Sequence, residues 1–310
     1  MTVDDTSATP PGSALPGETT LSRWDRWSFE AARVATRFAV RTISLTGLYH
    51  VGRAFATLEW LTNYKRRRRF AATLVRTMGP DLPASQRRMH TWRHFVRTRC
   101  DKLFYLVFDH LSEAALRDRF EIVNRHLLDD GIAAGNGAYV AMSHMGAHHV
   151  VAMLLVQMGY KVAVGRDENV GAIRLFMQRK QARKNRDHAA YFYSTTYPRV
   201  IYRYFKDNYL VGSAIDVAKV RSEHLKTIEV NVFGEKRAFL TGPMQIAVRC
   251  GAPVVQGFVI SRTNFRYVLD LYGPLIDPTD ATASLDDGMK AYAANMERLI
   301  RQYPCHVSKI

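Results

Sequence analysis

Cysteine is scarce. Cys100, Cys250 and Cys305 are the three in 310 residues, far apart, odd in number and in no CxxC pair. That argues against a disulfide framework and fits a reducing compartment. Long apolar runs are missing as well. The longest candidate, residues 38–61, is interrupted by Arg41, His50, Arg53 and Glu59, whereas a spanning helix needs about 20 apolar residues. Acidic residues are few: 28 Asp and Glu against 44 Lys and Arg, for a net charge of +16. Such an excess points to an anionic partner, whether nucleic acid, an anionic lipid surface or an acidic protein such as a carrier protein. The phosphate-cradling patterns GxxxxGK[ST] and GxGxxG are absent, as is an RNP-type aromatic motif. Residues 1–20 carry three acidic and no basic residues, with Pro10, Pro11 and Pro16. This is the opposite of a signal peptide's basic start and reads as a disordered tail.

Apolar residues make up 47% and aromatics 11% of the chain, enough for one large α/β domain or a core with a helical lobe. The expected organisation is a tail over 1–20, a helical N-terminal lobe over 21–130 and an α/β core over 131–310. In the lobe, apolar and basic residues mix at helical spacing, a basic helix runs from about 84 to 108, and a further helix is expected over 113–128. Lys65-Arg66-Arg67-Arg68-Arg69 follows Leu58, Trp60, Leu61 and Tyr64. It reads as a solvated helix face, a patch for an anionic leaflet, or a dock for an acidic carrier or RNA; the neighbouring rings favour the leaflet. From 138 the pattern changes. Strands are expected at 138–142, 161–165, 190–193, 209–214, 228–233 and 253–260, with 266–272 pairing back antiparallel. Helices are expected at 148–158, 169–184, 197–207, 242–250 and 286–302. Alternation of this kind predicts a central mixed sheet flanked by helices.

The chemistry concentrates at Ser143-His144-Met145-Gly146-Ala147-His148-His149. A histidine at the end of a buried strand, beside the start of the next helix, stands where α/β folds place reactive groups. A neutral imidazole there is suited to taking a proton near pH 7. The three histidines also raise a metal reading, but no second ligand cluster follows and Asp187-His188 is isolated, so no metal is expected. His224-Leu-Lys-Thr-Ile-Glu229 has a His-x4-Glu spacing, but the histidine falls in a charged loop and the glutamate in a strand, so the match lacks its context. His148 reads as a helix-start residue.

Further blocks follow in order: Gly165-Arg166; Val211-Gly-Ser-Ala-Ile-Asp216; Val232-Phe-Gly-Glu-Lys-Arg-Ala-Phe-Leu-Thr241-Gly242-Pro243; Ile246-Ala247; Gly251-Ala-Pro-Val-Val255; and Leu271-Tyr-Gly-Pro274. Together with Ser143-His144-Met145-Gly146 they resemble the lipid A biosynthesis acyltransferases over roughly residues 55–305. The resemblance implies a glycerolipid-acyltransferase-like α/β fold in a bacterial protein. It implies acyl transfer from an acyl carrier protein or coenzyme A thioester to a hydroxyl or amine of a lipid-like acceptor. No covalent acyl-enzyme and no metal or redox cofactor are implied. His144 takes the base position; Arg166, Gly146, Thr241, Gly242 and Pro243 fall at substrate-side positions. The chain departs from the family pattern at the acidic residue of His-x4-Asp/Glu, which here is His149, and at the C-terminal motif, reduced to Tyr303-Pro-Cys-His306. His149 is itself a catalytic candidate, since a neutral imidazole can accept a hydrogen bond from His144, but it supplies no negative charge. Asp216 is a candidate replacement if the fold brings it near; an amine acceptor that needs less base assistance or a degenerate site are the alternatives. The Thr241 hydroxyl is placed to cap the following helix. Two other readings stay open: a related transferase using aminoacyl-tRNA and an amine acceptor, and a non-catalytic membrane protein on a degenerate fold. A cytoplasmic monomer, peripheral on the inner face of the membrane, is the expected form.

Overall fold

The computed structural model describes residues 22–108, 110–166, 176, 188–193, 198–216 and 225–307. The expected tail, the expected helix over 169–184, Asp187 and His224 lie outside the described residues. Three long helices open the chain: α1 Arg23–Thr62, α2 Tyr64–Met78 and α3 Ala84–Phe108. Ser22 and Asp25 close a reciprocal capping box at the start of α1. Ser44, at φ 61°, breaks α1 into two arms. The core follows as α4 Glu113–Arg117, β1 Phe120–Val123, α5 His126–Ala133, β2 Ala138–Gly146, α6 His148–Gln157, β3 Val162–Arg166 and β4 Ala189–Tyr193. It is completed by α7 Pro198–Lys206, β5 Leu210–Ala214, β6 Thr227–Val232, β7 Glu235–Leu240, α8 Gly242–Arg249, β8 Val254–Arg262, β9 Arg266–Ile276 and α9 Leu285–Gln302. Short 3-10 turns lie at Thr263–Phe265 and Pro304–His306.

The fold is α/β, as expected. Seven strands form one mixed sheet in the order β1-β9-β8-β2-β5-β3-β4, and β6–β7 form a separate hairpin. β9 returns antiparallel to β8, while β8, β2, β5, β3 and β4 run parallel. The expected helix over 113–128 is corrected: it is α4, then β1, then α5. Phe120 is buried at the start of a short extended segment whose next residue, Glu121, is exposed, and Asn124 takes a left-handed φ of 56° that ends it. β1 then completes the sheet edge beside β9. β7 was not anticipated; its residues Glu235, Lys236 and Arg237 are polar and pair with β6.

Two cores sandwich the sheet. α1, α3, α5 and α6 pack one face with Val140, Met142, Val255 and Leu269. α7, α8 and α9 pack the other with Tyr139, Ala141, Val211 and Phe258. The alternation along β2 therefore follows the pleat, one residue to each core. β2 leads through α6 on the first face to β3, and β5 leads through α8 on the second face to β8. The chain thus leaves two neighbouring parallel strands toward opposite faces, and their carboxyl ends border a crevice.

Candidate active site

His144 stands at that crevice because β2 bulges. Met142 pairs with Gly257 and Gly146 with Val259, so four steps on β2 match two on β8. The extra residues bend the strand and re-aim its side chains. Gly146 makes the bend possible: its φ is 66°, and a Cβ there would meet the Val259 carbonyl oxygen at 1.8 Å. The Ala147 N–H then donates to the same carbonyl at 3.1 Å, and α6 begins.

Asp216 follows β5, the neighbour of β2. Ile215 donates its N–H to the Met142 carbonyl at 3.0 Å, which sets residue 216 level with residue 144. The Asp216 carboxylate receives the His144 backbone N–H on both oxygens, each at 2.9 Å. Its Oδ1 also accepts from His144 Nδ1 at 2.8 Å. One carboxylate thus fixes both the main chain and the ring. The His144 side chain is 29% exposed and that of Asp216 13%, so the pair is reachable from solvent. Seventy-two residues separate them, and the strand order alone brings them together.

The other expected site residues are distributed around this pair. Arg166 ends β3, which pairs with β5 on its other side; its side chain lies outside the described residues. The Leu240 N–H donates to the Ile215 carbonyl at 3.0 Å, so Thr241, Gly242 and Pro243 enter α8 close to Asp216. Thr241 occupies the N-cap of α8 without a capping side chain. The expected hydroxyl cap is corrected: its Oγ1 instead accepts from Gln245 Nε2 at 3.3 Å. His149 is turned away onto α3. Its ring stacks on Tyr105 at 5.1 Å, and its carbonyl accepts the Tyr105 hydroxyl at 3.1 Å. His148 is the imidazole that meets His144, edge to face at 5.2 Å. Among the described residues no group of three His, Cys, Asp or Glu side chains could hold a metal ion.

A second cluster of similar residues lies within the molecule. Arg97 and Asp101 on α3 form an ion pair at 2.9 Å, with side chains 8% and 3% exposed. Ser261 donates its hydroxyl to Asp101 at 3.0 Å. His94 Nδ1 and Arg97 Nε both donate to the Cys305 carbonyl at 3.1 Å. His306 Nε2 accepts the Ser261 N–H at 3.1 Å. Burial pushes His306 down to about 3, with the Arg97 charge adding to it. Burial also lowers His94, and Asp101 is raised by burial despite Arg97. These residues clamp the C-terminal turn to α3. Sequence reading noticed the C-terminal residues but not this role.

The basic run divides in two. Arg66 pairs with Glu59 at 2.7 Å and covers the Phe95 ring at 4.5 Å. Arg67 lies over Trp60 at 5.2 Å. Lys65, Arg68 and Arg69 are exposed. Among the described residues the exposed large apolar side chains are on the N-terminal helices, including Trp24, Trp27, Val34 and Phe38 on the first arm of α1 and Val51, Phe55, Leu58 and Leu61 on the second. No helix among the described residues is long and apolar enough to cross a membrane.

The family model of bacterial lipid A biosynthesis acyltransferases matches residues 23–306. No curated protein sequence matches the chain. The match spans nearly the whole chain, from the start of α1 to the final 3-10 turn, and the chain belongs to the bacterial lipid A biosynthesis acyltransferase family.

Proposed function

We propose that this acyltransferase moves an acyl group from a carrier-protein or coenzyme A thioester to a hydroxyl or amine of a lipid-like acceptor, with His144 as general base and Asp216 as its carboxylate partner. The observation that carries the reading is the 2.8 Å contact between His144 Nδ1 and Asp216 Oδ1. A carboxylate can only accept, so this bond places the imidazole proton on Nδ1 and leaves the Nε2 lone pair as the base. The acceptor gives its proton to Nε2 as its oxygen or nitrogen attacks the thioester carbonyl. Asp216 stabilises the imidazolium that forms, as the acid does in a triad. When the tetrahedral intermediate collapses, the carbon–sulfur bond breaks and the imidazolium returns the proton to the thiolate. Asp216 thereby fills the charge role that His149 leaves open. Thr241, Gly242, Pro243, Gly146 and Arg166 border the substrate side of this edge.

The protein works as a peripheral protein on the cytoplasmic face of the membrane. The apolar stripes on both arms of α1, the exposed Lys65, Arg68 and Arg69 and the net charge of +16 support this placement. Each large apolar side chain leaving water contributes about 1.5–3 kcal/mol, and each juxtamembrane Lys or Arg about 1 kcal/mol on an anionic leaflet. Two measurements test the reading. Transfer from acyl carrier protein and coenzyme A thioesters should be present in wild type and lost in His144→Ala. The protein should sediment with anionic vesicles at low salt and leave them at high salt. Absence of turnover with either donor rejects the chemistry; equal binding to neutral vesicles rejects the electrostatic placement.

A further inference from the structure

Tyr292 lies on α9, on the face of the sheet opposite α6, and is fully buried. Its hydroxyl donates to the Met142 carbonyl at 2.9 Å. The same carbonyl accepts the Ile215 N–H at 3.0 Å. This oxygen is therefore the shared anchor of the two strand ends: its own residue lies two before His144, and the Ile215 N–H that it accepts lies one before Asp216. It is also the last point at which β2 keeps register with β8 before the bulge. Beyond it, residues 143–145 leave the β8 register, and side chains take over the holding.

Tyr292 is itself held at both ends. Its carbonyl accepts Gln256 Nε2 at 2.9 Å, and Gln256 Oε1 accepts Asn295 Nδ2 at 3.0 Å. Gln256 is fully buried in β8. The Tyr292 ring meets Phe239 edge to face at 5.5 Å. Burial first, and then the negative charge of Asp216, keep the hydroxyl protonated far above the ordinary tyrosine range, so it remains a donor. A buried tyrosine that only filled the core would be served equally by phenylalanine, with no polar group to satisfy.

We infer that Tyr292 is a positioning residue for the His144–Asp216 pair, holding the Met142 carbonyl that fixes both strand ends at the bulge. The inference rests on the proposed role of that pair, but it has a readout of its own. Tyr292→Phe removes one oxygen and keeps the ring. In proton NMR the His144 Nδ1 proton, hydrogen-bonded to Asp216, gives a downfield resonance that His144→Gln identifies by its loss. Tyr292→Phe should move that resonance upfield or broaden it by faster exchange, while circular dichroism stays that of wild type. In transfer assays kcat should fall about tenfold with KM changed less than about twofold, the pattern of lost transition-state alignment. In the Asp216→Asn background the same change should have no further effect, because neighbours acting through one group are not additive. An unchanged Nδ1 resonance in Tyr292→Phe overturns the inference, as does an equal loss in both backgrounds. If neither donor is turned over, the resonance still decides the positioning claim, so its failure and that of the proposed reaction are separable.

Discussion

Among the described residues, two clusters that contain histidine and aspartate stand in opposite settings. At the carboxyl edge of the sheet, His144 and Asp216 are joined at 2.8 Å and partly exposed. Under α3, His94, Arg97, Asp101 and His306 form a sealed network with the C-terminal turn. The open pair has one carboxylate per imidazole and access to solvent, which suits proton transfer. The sealed group has its charges matched and its imidazoles held neutral by burial, which suits holding parts together. The difference lies in burial, in the Arg97 charge that Asp101 pairs with, and in the backbone groups rather than a carboxylate that face the buried imidazoles. A histidine near an aspartate therefore says little about role until its surroundings are known.

The comparison breaks if substitutions in the two clusters behave alike. His144→Ala should lower transfer by about 10²-fold or more and leave the unfolding free energy within about 1 kcal/mol, since the side chain is partly exposed. Activity assays beside urea unfolding read both. Asp101→Ala should do the reverse. It strands the Arg97 charge in the interior and should cost about 3–5 kcal/mol of stability. Urea midpoints check it, and a loss under about 1 kcal/mol would mean the network is not a clamp.

Acid separates the clusters further. In the unfolded chain a histidine protonates near pH 6.5, whereas folded His306 resists until about 3. The unfolded state therefore binds more protons across that window. The contribution is intact above pH 6.5 and is lost as pH falls toward 3. At pH 5 the cost is about 2 kcal/mol. Asp101 acts in the opposite sense, because its raised carboxyl takes up a proton in the folded state first. Comparing wild type with His306→Gln at pH 7 and pH 5 cancels that contribution. The variant should lose less stability on acidification than wild type; equal losses would place His306 outside the titration.

The smallest effect is expected at His149. Its ring stacks on Tyr105, and Asp216 already occupies His144 Nδ1. His149→Glu should therefore change turnover by no more than about threefold with hydroxyl or amine acceptors. A gain of about tenfold or more with a hydroxyl acceptor would show that the position still calls for its acid.

Much of the fold was legible in the sequence. The buried strands at 138–142 and 253–260 are largely apolar runs, the second interrupted by Gln256 and Gly257, and their spacing with helices already implied a mixed sheet. The β1 edge strand was hidden because four residues between two short helices carry too little pattern to displace a helical reading. His144 could be named from its local setting. The Asp216 partnership could only be raised as a possibility, because it depends on β5 inserting between β2 and β3, a matter of strand order that no local window contains. The inward turn of Arg66 onto Glu59 and Phe95 was equally hidden, since a run of five basic residues looks the same whichever of them faces the core.

The central claim is that Asp216 supplies the negative charge that position 149 lacks. Asp216→Asn tests it most directly. The amide keeps an acceptor for the His144 backbone N–H but loses the charge. With circular dichroism and unfolding midpoint near wild type, kcat with a thioester donor should fall about 10²-fold or more. Turnover within about threefold of wild type would contradict the account.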